Sequence, residues 1–229
     1  MFKDQVTDVF FDLDHTLWDF EKNSALTFEK IFEDNSIDVM LSKFLEVYIP
    51  INLQYWKLYR EERVTKAELR YQRLKKAFDG LGVLITDELI YILSEAYIEN
   101  LSSFNHVFPG TIDILEYLKP NYRLHIITNG FEEIQEKKMK SSHIRPYFEI
   151  IINSEMAGVK KPNPKIFELA LNEAKVKAEN TLMIGDSLEA DIIGAKNLGF
   201  NVLHFNSHQE PKHEICEMIH NLDEIKSFL

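Results

Sequence analysis

Two hydrophobic textures divide this chain. In the first, short β-branched and aromatic runs end abruptly in polar residues: VFFDLD (9–14), LHIITNG (124–130), EIIINS (149–154), TLMIGDS (181–187) and NVLHFN (201–206). Apolar residues run together there instead of alternating, the pattern of strands buried on both faces. Helical periodicity fills the intervals at 111–118 (after Pro109-Gly110), 132–142, 164–174 and 189–198. Strand and helix in alternation predict an α/β fold, a parallel sheet with helices on both faces.

The second texture occupies residues 17–104 and contains no strand pattern. Residues 24–34, 42–59, 66–78 and 87–101 read as helices. Thr65 and Glu68 have capping-box spacing before the third of these. Pro50 predicts a kink or break in the second, and Gly80 with Gly82 predicts a turn between the third and fourth. An all-helical block between the first strand and the next is an insertion. The expected organisation is therefore a discontinuous sheet domain, 1–16 and 105–229, carrying a helical domain at 17–104.

Composition narrows the field. The 229 residues, 45% hydrophobic and 12% aromatic, suit a packed globular protein. A formal net charge of −11 repels nucleic-acid backbones and anionic membranes, so neither a nucleic acid polymer nor a membrane is an expected partner. A small phosphate ester remains compatible, because a divalent cation and a lysine reverse the potential locally. Cys216 is the single cysteine, which forbids an internal disulfide. The N-terminal residues carry no apolar stretch of signal-peptide length, and no run approaches the roughly 20 apolar residues of a membrane span. A cytoplasmic location is the expectation.

The chemistry gathers at the strand ends. Asp12 and Asp14 close the first apolar run, although aspartate is depleted in strands and an unpaired buried carboxylate is costly. Residues two apart on a strand project to one side. Two carboxylates at the carboxyl edge of a parallel sheet, where open α/β folds bind ligands, call for a cation, a proton or both. The alternative is that both merely cap the next turn. Thr128-Asn129-Gly130 ends the second run with a hydroxyl, an amide and exposed N–H groups suited to phosphate oxygens, or else simply turns the chain. Lys160-Lys161-Pro162-Asn163-Pro164 offers a stiffened lysine, or a solvated pair. Gly185-Asp186-Ser187 ends a further run. Asp186 suits a magnesium ligand, and Asp191 suits a residue that orients the ligand or the lysine; an N-cap role is the alternative.

Taken together and in order, DLDHT (12–16), Thr128-Asn129, Lys161 within KPNP, and GDSLEAD (185–191) resemble the four motifs of the haloacid dehalogenase superfamily of phosphotransferases. The resemblance covers nearly the whole chain. It implies a Rossmann-like core with a helical cap, and it selects Lys161 over Lys160. It further implies Asp12 as nucleophile, Asp14 as general acid and base, and Mg²⁺ held by Asp12, Asp186 and the Asp14 backbone carbonyl. Thr128, Asn129 and Lys161 would hold phosphate, while Thr16, Ser187 and Asp191 would support from behind, Thr16 by orienting Asp14 or its neighbours. Asp14 favours phosphoryl chemistry over dehalogenation, which has no alkoxide to protonate.

Around residues 12–24, DLDHTLWDFEKNS resembles the branch of the family that hydrolyses pyrimidine nucleoside 5′-monophosphates. Trp18 and Phe20 are placed to wall a leaving-group pocket, and Tyr55, Trp56, Tyr59 and Arg60 form an aromatic-basic cluster suited to stacking on a base. A helical aromatic stripe also makes an ordinary core. His15 reads as a turn residue at the entrance. The expected partner is a small phosphate ester, a nucleotide first. The alternatives are a phosphatase or mutase for sugar phosphates or other small metabolites, and a catalytically idle regulatory member of the family.

Overall fold

In the computed structural model, which describes residues 2–229, the chain separates into two compact units. One runs up to Phe20 and resumes with Asn105–Leu229; the other is Glu21–Phe104.

The first unit is built on a six-stranded parallel sheet of order β3-β2-β1-β4-β5-β6. Its strands are β1 (Asp8–Phe11), β2 (Arg123–Thr128), β3 (Ile150–Asn153), β4 (Thr181–Gly185), β5 (Asn201–Phe205) and β6 (Met218–Ile219). All pairings are parallel, with Phe11 opposite both Ile126 and Ile184. The arrangement is Rossmann-like. From β1 the chain steps outward through β2 and β3, then returns to β4 on the other side of β1. The order therefore reverses at the β1/β4 crevice, where such sheets bind ligands. Every residue of β1 and β4 is buried. One face is filled by Phe10, Ile127, Ile152, Met183 and Val202 packed against Ile166, Phe167, Ile192 and Phe200. The two-residue β6 is too short to leave a hydrophobic signature and was absent from the sequence expectation.

The second unit holds most of α1 (Phe20–Asp34) and all of α2 (Leu41–Arg60), α3 (Lys66–Gly80) and α4 (Asp87–Leu101). The Thr65–Glu68 capping box is formed in both directions. Pro50 does not break α2, which runs through it. The proline is exposed, so water is available to the carbonyl that loses its partner. The opposite face, Phe44, Tyr48, Asn52, Tyr55 and Tyr59, is buried and holds the helix together. Gly82 supplies the left-handed turn residue at φ 69°. Gly80 serves close approach instead: a Cβ there would lie 2.9 Å from Val47.

The sheet unit reaches four residues beyond the expected boundary at Thr16. Trp18 bridges to Asp14 and Val107, and its fully buried indole donates to Ser142 Oγ at 3.1 Å. Those contacts tie residues 17–20 to the core. No helix among the described residues is long and apolar enough to cross a membrane.

Candidate active site

The site is assembled from the carboxyl ends of β1, β2 and β4, the loops that follow them, and the Lys161 loop beyond β3. The β1 ladder persists one residue past the strand, Asp12 N–H donating to Ile184 C=O at 2.9 Å, which sets the Asp12 side chain at the crevice. Chain reversal follows at once. Leu17 and Trp18 N–H both return to Leu13 C=O, and His15 takes a left-handed φ of 64°, a conformation that histidine tolerates better than bulkier residues.

Lys161 is the hub. Its ammonium lies 2.6 Å from Asp12 Oδ1, 2.6 Å from the Ile127 carbonyl and 2.6 Å from Asp191 Oδ1. Lysine is almost never fully buried unless paired, and Lys161 is 1% exposed. Burial alone would lower its pKa, but the Asp12 and Asp191 carboxylates raise it above the ordinary lysine value and keep the group charged. Its backbone is clamped by Asn129, whose Oδ1 accepts from Lys161 N–H at 2.8 Å while its Nδ2 donates to Lys161 C=O at 3.0 Å. The Asn129 side chain, expected to hold phosphate, thus fixes the lysine loop and keeps one amide N–H for another acceptor.

Asp12, Asp186 and Asp191 each bring a carboxylate oxygen to a point where all three lie within 4.8 Å of one another. Burial drives the Asp12 carboxyl well above its usual range; Lys161 opposes this, and the neighbouring Asp191 and Asp186 charges add to it. Asp191 is raised for similar reasons. Asp186 goes the other way: burial would raise it, but the His208 hydrogen bond and the nearby histidine and lysine charges bring it down. With all three carboxylates ionised against one ammonium, two negative charges are left over, and a divalent cation would balance them and favour the ionised forms. The donors are hard oxygens of the kind Mg²⁺ takes, so these residues fit such an ion.

The supporting partners differ in part from the expectation. Thr16 Oγ1 donates to Asp186 Oδ1 at 3.1 Å, orienting that carboxylate and not Asp14. Asp191 Oδ2 accepts from Ser187 N–H at 3.0 Å, while Ser187 Oγ caps the turn by accepting from Ala190 N–H at 3.1 Å. This folding-back occupies the space beside Gly185, where a Cβ would stand 2.3 Å from Asp191 Oδ2. It also accounts for a departure from the expected helix at 189–198: residues Leu188–Ile193 form a wider π turn, running on as Gly194–Lys196. Such turns recur at functional sites. Two histidines not assigned from sequence contact Asp186, and His15, expected as a turn residue at the entrance, stands beside one of them. His208 Nε2 lies 3.1 Å from its Oδ2, His204 Nε2 2.7 Å from its backbone carbonyl, and the His15 ring 4.7 Å from that of His208.

Asp14 stands apart from this cluster. Lys138 Nζ donates to its Oδ1 at 2.6 Å and Gln135 Nε2 to its Oδ2 at 3.0 Å. Both residues come from α6 (Glu132–Ser141), the helix that follows β2 as α5 (Thr111–Leu118) precedes it. Gln135 donates as well to Thr128 Oγ1 at 2.8 Å, and Gly130 N–H donates to the same hydroxyl at 3.1 Å. Two donors fill the Thr128 lone pairs, so its own proton is what it has left to offer a ligand. The i, i+3 spacing of two polar residues on α6 was visible in the sequence, but nothing in it marked them off from the solvated lysines on the same helix.

Of the aromatic residues expected to wall a pocket, Trp18 is fully buried with Lys138 Nζ 4.3 Å from its ring centroid, so that face is closed to a stacking base. Phe20 is buried and lies 5.3 Å from the same ammonium. Trp56 belongs to the helical unit, is partly exposed, and meets Tyr59 edge-on at 5.8 Å.

With that geometry in place, similarity to known proteins is informative. Residues 9–199 match the haloacid dehalogenase-like hydrolase family. The pyrimidine 5′-nucleotidase YjjG of Escherichia coli K12 is 31% identical over 207 residues, 90% of this chain and 88% of that protein. The glyceraldehyde 3-phosphate phosphatase of Pyrococcus abyssi is 32% identical over 198 residues, 86% of this chain and 80% of that protein. Among solved structures, the HAD-hydrolase YfnB of Bacillus subtilis bound to magnesium superposes with a TM-score of 0.87 at 28% identity, over 98% of each chain. The acidic cluster at the β1/β4 crevice, the parallel sheet around it and a family match over most of the sequence lead to one assignment: this chain belongs to the haloacid dehalogenase-like hydrolases.

Proposed function

We propose that this hydrolase is a Mg²⁺-dependent phosphomonoesterase that acts through an aspartyl-phosphate on Asp12, with pyrimidine nucleoside 5′-monophosphates as substrates. The observation that carries the reading is that two neighbouring carboxylates have separate sets of partners. Asp12 lies in the Lys161–Asp186–Asp191 cluster, whereas Asp14 is held outside it by Lys138 and Gln135. A second carboxylate kept apart from the acidic cluster is what a reaction needing proton transfer to an alkoxide requires.

In the first half-reaction an Asp12 carboxylate oxygen bonds to phosphorus as the bond to the ester oxygen breaks, and the departing oxygen takes the proton of the Asp14 carboxylic acid. In the second, water attacks phosphorus, its proton goes to the Asp14 carboxylate, and the acyl-phosphate bond to Asp12 breaks. Lys161 and the Thr128 hydroxyl stabilise negative charge on the phosphoryl oxygens. Asp12 and Asp186, with the Asp14 backbone carbonyl, would hold Mg²⁺, and Asp191 positions Lys161. Such an ion would supply charge neutralisation as the anionic ester meets the attacking carboxylate. The helical unit Glu21–Phe104 supplies leaving-group selectivity, the role of a cap.

Similarity to YjjG supports the nucleotide as substrate; similarity to the P. abyssi enzyme supports a second reading, a small sugar phosphate. Phosphate release from a panel of nucleoside monophosphates and sugar phosphates separates the two. The mechanism is tested by acid-quench trapping of labelled phosphate on the protein. Label is expected on Asp12, turnover and label are expected to vanish in Asp12→Asn with folding retained, and activity is expected to collapse on chelation. Ca²⁺ is expected to restore it poorly, because its looser coordination misplaces the attacking carboxylate. Label on another residue, or full activity in chelator, overturns the mechanism.

A further inference from the structure

We infer that Lys138 and Gln135 are positioning residues for Asp14, and that Trp18 and Phe20 act in this protein as the bed that holds Lys138 in place. The inference rests on the phosphatase reading above and adds the parts that aim its proton-transfer group.

Lys138 lies on a helix whose other lysines, Lys137 and Lys140, are partly or fully exposed, yet its own side chain is 3% exposed. A lysine of no special role on a surface helix keeps its ammonium in water. This one brings the ammonium to 2.6 Å from Asp14 Oδ1, with the Trp18 ring centroid at 4.3 Å and the Phe20 centroid at 5.3 Å. Cation–π attraction on one side and a carboxylate on the other leave it little freedom to swing. The bed is itself tied down. Trp18 Nε1 donates to Ser142 Oγ at 3.1 Å, and Ser142 Oγ donates to the Lys138 carbonyl at 2.8 Å. A closed circuit thus runs from the lysine ammonium through the indole and back to the lysine backbone.

Gln135, one turn earlier, closes the other side. Its Nε2 bridges Asp14 Oδ2 and Thr128 Oγ1, while its Oε1 is buried without a hydrogen-bond partner. A lone buried acceptor is unfavourable, so the amide is held where it is by its donor side. The backbone makes room for it: a Cβ on Gly130 would fall 2.2 Å from Gln135 Nε2. With a donor on each oxygen, the plane of the Asp14 carboxylate is set, and each oxygen keeps a further lone pair for the substrate oxygen or the attacking water.

The test compares Lys138→Met, Lys138→Arg and Gln135→Ala with wild type on an alkyl phosphate and on p-nitrophenyl phosphate, using single-turnover phosphorylation and steady-state kinetics. An ester with a poor leaving group needs a well-aimed proton donor; p-nitrophenolate does not. Lys138→Met is expected to slow phosphorylation by the alkyl ester on the order of a hundredfold, the scale of an ångström-level misplacement. Phosphorylation by p-nitrophenyl phosphate should change by less than about threefold, the substrate Kd read from the concentration dependence of single turnovers should hold for both esters, and aspartyl-phosphate formed from p-nitrophenyl phosphate should accumulate because the second proton transfer slows. Lys138→Arg should recover part of the loss. Gln135→Ala should show the same split more weakly, and it carries the test if Lys138→Met does not fold. Equal losses on both esters, or none, overturn the inference while leaving the phosphatase reading intact. Wild-type protein that releases no phosphate from any ester overturns both.

Discussion

Asp12 and Asp14 leave β1 two positions apart, and their carboxylates meet different partners: Lys161, Asp186 and Asp191 for the first, Lys138 and Gln135 for the second. If Asp14 serves as acid and then as base, Asp14→Asn should impair both half-reactions by different amounts on different esters. Phosphorylation by p-nitrophenyl phosphate should recover relative to an alkyl phosphate, since the better leaving group dispenses with protonation, while dephosphorylation stays slow for both. Rapid-quench measurement of each half-reaction reads this directly. Equal loss of phosphorylation on the two esters would remove Asp14 from the acid role. Thr16 shows how one hydroxyl bond redirects a role: donating to Asp186, it belongs to the acidic cluster and not to the proton-transfer group.

At the scale of the element, α2 shows what a stripe of aromatic residues does and does not say. Phe44, Tyr48, Tyr55 and Tyr59 lie on its buried face, and Phe44 and Tyr48 meet Phe28, Phe32 and Phe78 through ring contacts of 4.6–5.2 Å. These rings are core. Trp56 falls beside that stripe and keeps some exposure, so the proposed stacking on a base can be tested there without removing a core ring. Trp56→Ala should lower kcat/KM for pyrimidine nucleoside monophosphates about tenfold to a hundredfold, the worth of one stacking contact. Hydrolysis of p-nitrophenyl phosphate should change little. A parallel loss on both substrates would mark Trp56 as core.

Across the whole molecule, the sheet carries charge at both ends. Asp8 opens β1 at the amino edge, fully buried, with Arg123 and His125 each at 2.8 Å from Oδ1 and the Thr7 hydroxyl on Oδ2. Burial alone would raise its pKa, but the hydrogen bonds from His125 and Thr7 and the Arg123 charge hold it below the ordinary value of 3.8. A carboxyl whose folded pKa is depressed stabilises the fold above its unfolded pKa, and that contribution is lost as pH falls through the folded value. Thermal melts should therefore show Asp8→Asn less stable than wild type at neutral pH, with the gap narrowing below about pH 4. A gap independent of pH would mean that Asp8 contributes by packing and not by its charge.

The unbroken apolar runs were enough to locate five strands and their order of appearance, because strands buried on both faces need continuous hydrophobicity. The polar residues that end those runs marked Asp12, Thr128 and Asp186 for the same reason: a polar group at a buried strand tip stands out against its neighbours. What the tertiary structure decided is who meets whom. Lys138 and Gln135 sit more than 120 positions from Asp14 on a helix with no distinguishing pattern, and only the pairing of β1 with β2 brings that helix to the site. Trp18 looked like a pocket wall because local spacing says nothing of the Ser142 hydroxyl and Lys138 ammonium that close over it. Pro50 passed through a helix, and residues 188–193 widened into a π turn, for one physical cause. Local propensities of a few kcal/mol or less yield when a buried face or a buried carboxylate has to be satisfied.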